Sequence, residues 1–427
     1  MSTNILEPIS IGALHLKNRL YRAPVLEGAG QKKDHAAQYA KYFVPNAQAG
    51  VGLIIQGNTI VLPEGRTSLG MTAVEGKETI MELAPMVRAV HEAGAKIVIQ
   101  LGHGGVYAIE SWHQEARARR THHPYAPSPP PWWLRPMHTG VHALSTDEVW
   151  KLIARFGEVA AWTREAGYDA VQLAGGNAKL LHQFLSPVYN RRDDEFGGSA
   201  AKRARLYLEI RKAIAERAGD DYPVLLKMPA VENNLVGQGF TLSEGVELAR
   251  IMEDGGFAAI TPTAADVLPN TAICRGSYPT ATFTNDNIKG LLRKAKGNGW
   301  WDRMMSVSMW MAARKYPFQP VWNREIFRAV KQAVRIPVFA VGGIRTPGEA
   351  AQILSSGDAD VIGVGRPFYA EPDLPAWFLD PSTPADREPK CESSNACIVP
   401  QMLGLPGVCY NPDVNKKDAP AKDDKAA

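Results

Sequence analysis

Residues 169–199 read DAVQLAGGNAKLLHQFLSPVYNRRDDEFGGS. A short apolar run, Ala170 to Leu173, passes without a break into a polar turn that carries two glycines. An α/β barrel places its chemistry at this kind of junction, on the C-terminal side of its strands. Just downstream, Ser199 stands ahead of KRAR and a helical apolar period, where an N-cap belongs. The alternation recurs along the whole chain, in LYRAP at 20–24, VGLIIQG at 51–57, KIVIQLG at 96–102, PVLLKMP at 223–229, FAAITPT at 257–263, IPVFAV at 336–341 and DVIGVG at 360–365. With the opening stretch these make eight β-rich runs, each followed by a segment able to form a helix, which predicts an α/β fold of the (β/α)8 TIM-barrel type. The runs are continuously apolar rather than alternating, as a parallel sheet covered on both faces requires. A doubly wound open sheet is the structural alternative.

The predicted outer helices lie near 36–48, 80–93, 145–166, 200–217, 243–254, 323–334 and 347–356, and Ile9 to Lys17 suits a hairpin closing the barrel's bottom. Two connections are far longer than ordinary βα loops: 103–144 after the third strand and 264–322 after the sixth. The first contains HHPYAPSPPPWWLRP, whose proline run favours extended backbone and whose Trp132 and Trp133 are expected to pack on the barrel rim. The second holds Trp300, Trp301, Trp310 and Trp322 with Lys289, Arg293, Lys294, Lys296 and Arg303, and suits a lid, a contact between copies of the chain, or a collar for an acidic substrate. The domain reading is a barrel over 1–380, a short cysteine-bearing extension over 381–412 and a disordered, charged tail over 413–427.

Forty-eight basic against 44 acidic residues leave a net charge of +4, too small to point to nucleic acid or a membrane surface. The N-terminus lacks the cationic start and apolar run of a secretory leader, and no window approaches the roughly 18 apolar residues of a membrane span. Four cysteines in 427 residues make no disulfide framework, so a reducing cytoplasm is the expected setting. Cys391, Cys397 and Cys409 fall close together, a spacing that suggests metal ligation or its remnant.

After the seventh strand, VGGIRTPGEA supplies Gly342 and Gly343; after the eighth, GVGRPFYAEPDLP supplies Gly365 and Arg366. Backbone N–H groups and a cation at this end of a barrel cradle a phosphate. Together with LLHQFLSP, NRRDDEFGGS and KRAR, these loops resemble the old yellow enzyme family of FMN-dependent oxidoreductases. The resemblance implies FMN, with NAD(P)H as electron donor, and assigns flavin-ring positions to Ala23 and Pro24 in NRLYRAPV, Gly57 in IIQGNTIV, Gln100 in VIQLGHGG and Lys227 in LLKMP. Lys227 stands where most members carry arginine, near the ring's N1 and C2 oxygen. Val25 and Leu26 follow the proline where members often place a hydrogen-bonding side chain; a shift of one residue would bring Glu27 near instead.

The family usually reads His-x-x-His/Asn-x-Tyr after its fourth strand, two residues holding a substrate carbonyl and the tyrosine delivering a proton. Here Ala174, Asn177 and Lys179 occupy those places. The resemblance therefore implies a small-molecule reaction in which Asn177 and Lys179 are the catalytic candidates, Lys179 replacing tyrosine and favouring an anionic substrate. His103 is a candidate for the substrate cavity wall, and His182 for the supporting frame. The expected reaction is hydride transfer between NAD(P)H and an α,β-unsaturated carbonyl, as ene-reduction or the reverse desaturation. An isomerase or amine demethylase on the same scaffold and a flavin-free phosphate-binding barrel are the alternatives. The run Cys391-x5-Cys397-x11-Cys409 resembles the four-cysteine cluster segment of the trimethylamine dehydrogenase branch, with Ser394 in a ligand's place, and so implies a degenerate segment without an iron–sulfur cluster.

Overall fold

The computed structural model describes residues 4–119, 122–136, 138, 140–234, 239–297 and 299–416. Eight parallel strands form the barrel: β1 (Leu20–Arg22), β2 (Leu53–Ile60), β3 (Lys96–Gly102), β4 (Ala170–Ala174), β5 (Val224–Glu232), β6 (Ala259–Ala265), β7 (Phe339–Val341) and β8 (Val361–Val364). From β1 to β6 each strand pairs with the next, β7 pairs with β8 and β8 with β1, and an isolated parallel bridge from Ile260 to Val338 joins β6 to the segment entering β7. The bridge nearly closes the ring, which shields the two strand edges that an open sheet would expose. The outer layer is α1 (His35–Gln48), α2 (Ala84–Glu92), α3 (Thr146–Glu165), α4 (Ala200–Ala218), α5 (Leu242–Asp254), α6 (Arg324–Lys331), α7 (Pro347–Ser355) and α8 (Leu374–Phe378).

Local chemistry sets these boundaries. Ser145 and Thr346 begin α3 and α7 with reciprocal caps to Glu148 and Glu349, and the Ser199 hydroxyl accepts from Lys202 N at the start of α4 as its position predicts. The helix expected over 80–93 is instead two pieces, Lys77–Met81 and then α2, with Pro85 in the first turn of the second. Ile9–Ile11 and Leu14–Leu16 form the antiparallel hairpin at the barrel's bottom. No helix among the described residues is long and apolar enough to cross a membrane.

The segments that sit over the strands' C-terminal ends decide what the barrel can bind. The 103–144 insertion holds short helices at Ile109–Trp112 and Gln114–Arg119; the 264–322 insertion holds Thr280–Thr284, Asp286–Lys296 and Gly299–Lys315. Trp133 packs beside a buried cluster that includes Val106, Leu134 and Tyr189 as expected, but Trp132 is 77% exposed. The segment from Cys391 onward docks on the same end: Ser277 N donates to Ser393 O at 3.1 Å, the Arg366 guanidinium donates to Asn395, and Gly407 N donates to Glu27 O at 2.7 Å. Pro412–Lys416, at the start of the expected tail, make a helical turn that buries Val414. The rest of the expected tail lies outside the described residues.

Candidate active site

A cavity of about 880 Å³ opens at the C-terminal end of the barrel, roofed by both insertions and by the segment containing Cys397, Ile398, Gln401 and Met402. That is a size suited to a cofactor and a small ligand together. It brings together Pro24, Gly57, Gln100, Asn177, Lys179, Lys227 and Arg366 from distant parts of the sequence. Val25 and Leu26 line it as well. Glu27 does not; its carboxylate is buried beneath, accepting from Arg22 Nη1 at 2.7 Å.

Lys179 is only 9% exposed, and its ammonium stands 6.0 Å from the centre of the Tyr107 ring. Among the described residues neither the Lys179 nor the Lys227 ammonium has a hydrogen-bond or ion-pair partner. Burial disfavours both charges, drawing the Lys179 pKa down to about 8 and that of Lys227 below its usual value. Lys179 leaves a turn in which Asn177 (φ 60°) and Ala178 (φ 57°) are left-handed. Three bonds hold this turn. Ala178 N donates to His182 Nδ1 at 2.9 Å, and the Asn177 amide exchanges bonds with Asn270, donating to its Oδ1 at 2.8 Å and accepting from its backbone N at 2.6 Å. Asn177 thus keeps one N–H for a ligand. His182 is part of the frame: fully buried, 3.6 Å from the Glu232 carboxylate, with its pKa pushed down to about 3 by burial.

His103 requires a correction. It lies behind the cavity wall and is not among the lining residues. Its ring stacks on Tyr125 at 5.2 Å, its Nδ1 accepts from Gly105 N at 3.0 Å, and burial pushes its pKa down to about 4. Ala23, Gly342, Gly343 and Gly365 also stand outside the lining. The Trp322 ring packs against the glycine pair, 2.8 Å from where a Cβ on Gly342 would lie, and Arg275 stacks on that indole at 4.2 Å. Arg366 donates to the Arg275 carbonyl at 2.7 Å, so a second guanidinium stands near the one that the sequence singles out.

The residues present fit FMN. At the ring end, Gln100 donates to Gln172 Oε1 at 2.7 Å and keeps its own Oε1 as acceptor, Asn58 Oδ1 is buried without a partner, and Lys227 supplies a charge. At the phosphate end, the backbone N–H groups of Gly342, Gly343, Gly365 and Arg366 meet no acceptor among the described residues. The φ values of 120° and 83° at Gly342 and Gly343 are ones that side chains rarely adopt. Four unpaired amides at one barrel end suit a phosphate.

Cys274 was not legible as a site residue. It lines the cavity near Lys179, Lys227 and Arg366, and burial pushes its thiol's pKa up against the pull of those cations. It sits in an insertion with no motif around it, as do Asn270 and Tyr107 in theirs. Of the cations noted in the 264–322 insertion, Lys296 lines the cavity, while Lys289 pairs with Asp286 and Lys294 with Glu115. Cys397 also lines the cavity, Cys391 and Cys409 do not, and among the described residues no three His, Cys, Asp or Glu side chains converge on one point suited to a metal.

Fold and strand-end chemistry together define a phosphate-binding barrel of the flavoprotein kind. Residues 4–285 and 289–378 match the NADH:flavin oxidoreductase / NADH oxidase family, and the chain belongs to that family. It is 30% identical over 374 residues to an NADH oxidase of Thermoanaerobacter brockii, covering 87% of this chain and 50% of that one. It is 28% identical over 396 residues to a cinnamate reductase of Clostridium sporogenes, covering 86% and 51%. The chain thus spans about half the length of these curated relatives. The solved structure of a morphinone reductase in complex with tetrahydroNAD superposes with a TM-score of 0.62 at 23% identity, covering 90% of this chain and 95% of that one, and shares the fold.

Proposed function

We propose that this chain is an FMN-dependent oxidoreductase that takes electrons from NAD(P)H and reduces an α,β-unsaturated carbonyl compound bearing a negative charge, or runs the reverse desaturation. The observation that carries the reading is Lys179: a buried ammonium without a partner among the described residues, in a cavity whose described lining contains no aspartate or glutamate. An unpaired buried cation is costly unless a ligand supplies the anion. Likeness to a cinnamate reductase supports an unsaturated carboxylate as that ligand.

FMN, when bound, supplies hydride transfer between the nicotinamide donor and the substrate's β-carbon. Gln100 and Lys227 would hold the ring, while Arg366 and the amides after β7 and β8 would hold the phosphate. Lys179 holds the substrate's carboxylate or developing enolate oxygen, with the remaining Asn177 N–H as second donor. Ala174 leaves room where the family carries a larger side chain. With a pKa near neutrality, Lys179 is also able to donate a proton.

The decisive experiment compares unsaturated acids with their neutral amides under steady-state turnover by the flavin-loaded protein. Lys179→Ala and Lys179→Tyr should each lower kcat/KM for the acid roughly 10- to 100-fold, and Lys179→Arg should retain more. The difference should vanish for the amide. If Lys179→Tyr instead matches or exceeds the native rate, the lysine is only an acid. If Lys179→Ala is unchanged, the reading is wrong.

A further inference from the structure

The helix Gly299–Lys315 lies in the 264–322 insertion with its apolar side chains turned to water. Met304, Val307 and Met311 follow one another at intervals of three and four residues and so share one face. With Trp310 beside them they are between 45% and 54% exposed. Met305, Met309, Ala312 and Ala313, on the opposite side, are partly buried, and Ser306 there bonds to the Tyr278 hydroxyl at 2.6 Å. A helix that is apolar all round belongs in a place where both of its sides are covered. Leu291 adds another exposed apolar side chain from the helix Asp286–Lys296, which packs against this one. Taking roughly 150–250 Å² for each large side chain, these five leave about 500 Å² of apolar surface in water, over half of the roughly 800 Å² that each partner gives to a standard interface.

The charges around the stripe decide what covers it. An anionic lipid surface would draw on cations that have no partner within the chain. Lys289 is paired with Asp286 at 2.7 Å, Lys294 with Glu115 at 3.4 Å and Lys315 with Asp266 at 3.0 Å, and the Arg314 guanidinium lies 3.9 Å from the centre of the Trp310 ring. A second copy of the chain makes no such demand. Placed antiparallel about the midpoint between Met304 and Val307, each copy sets its Met304 opposite Val307 of the other, and no two of Arg303, Arg314 and Lys315 come level with one another.

We propose that this chain pairs with a second copy of itself through the outer face of Gly299–Lys315, in an isologous antiparallel contact. Met304 also lines the active-site cavity, so the second copy walls the cavity's entrance.

Sedimentation equilibrium of the full chain tests it, with Met304→Glu, Val307→Lys and an equimolar mixture of the two variants. The native chain should sediment at twice 46.6 kDa. Each variant alone should dissociate with a Kd raised about 100-fold or more, because a charge is then buried at the seam without a partner. Mixing them should recover about tenfold or more of that loss, since the antiparallel seat brings the introduced carboxylate against the introduced ammonium. Such recovery also shows that both variants fold. A native chain that stays monomeric at ~100 µM, variants that associate as tightly as the native chain, or variants that stay apart when mixed would overturn the proposal. Co-sedimentation of a monomeric native chain with phosphatidylserine vesicles would overturn it in favour of lipid. Mass is read without turnover, so a protein that fails to take up FMN or oxidise NAD(P)H would defeat the functional reading while this result stood by itself.

Discussion

Lys179 is the residue at which sequence, strain and chemistry meet. Two successive left-handed residues precede it, and Ala178 has a Cβ that disfavours that conformation and no polar group to offset it. The His182 and Asn270 bonds hold the turn and fix where Lys179 begins. Its titration has a definite sign. Because the folded-state pKa is lowered from 10.5 to about 8, the unfolded chain holds a proton that the folded one has released between those values, so stability rises with pH across that window. Below it both states are charged and the burial cost is felt in full. An anion beside the ammonium reverses the shift, so binding an unsaturated acid at a pH of about 9 should take up a proton, whereas at about pH 6 it should not. Calorimetry in buffers of differing ionisation enthalpy measures this. Equal uptake by Lys179→Met would assign the proton to another group. The positions of Lys179 and Asn177 were legible because the flanking frame is long and specific. That of His103 was not, because Leu180 N donates to its carbonyl and its ring turns away to Tyr125, contacts made across the fold.

At the level of elements, the barrel was readable and its roof was not. Strands and outer helices announce themselves by period, caps and glycine punctuation. The insertions have no repeating period, and their contributions to the cavity, Tyr107, Asn270 and Cys274 among them, depend on how two loops cross one another. The cysteine segment illustrates the same limit. Its spacing suggested a cluster remnant, yet its contacts make it part of the roof: a Cβ on Gly276 would collide with the Ser393 carbonyl, and Thr282 Oγ1 donates to Ala396 O at 3.1 Å. With Ser394 in the place of a fourth thiolate, the anaerobically purified protein should carry well below the roughly four irons per chain of a complete cluster. Elemental iron together with acid-labile sulfide checks this, and stoichiometric amounts of both would reinstate a cluster.

Over the whole molecule, ligand binding and stability are coupled. Anything that binds the folded barrel alone stabilises it; FMN at a hundredfold excess over its Kd would add about 2.7 kcal/mol. Thermal unfolding should therefore move up by a few degrees when FMN is added to flavin-depleted protein, and Arg366→Ala should shrink that increment by weakening the phosphate end. An unchanged melting temperature with no FMN in the heat-released supernatant would remove the cofactor from the account. The roof has one more consequence, for biosynthesis. Gly407 bonds to Glu27, Asn395 to Arg366, and β8 to β1, so the first and last parts of the chain share one enclosure. As the polypeptide emerges from the ribosome, its early strands wait for residues beyond 390 before the chamber has walls on every side. Enclosure of a cofactor by the growing chain would thus be completed only after nearly all of the described residues have been translated.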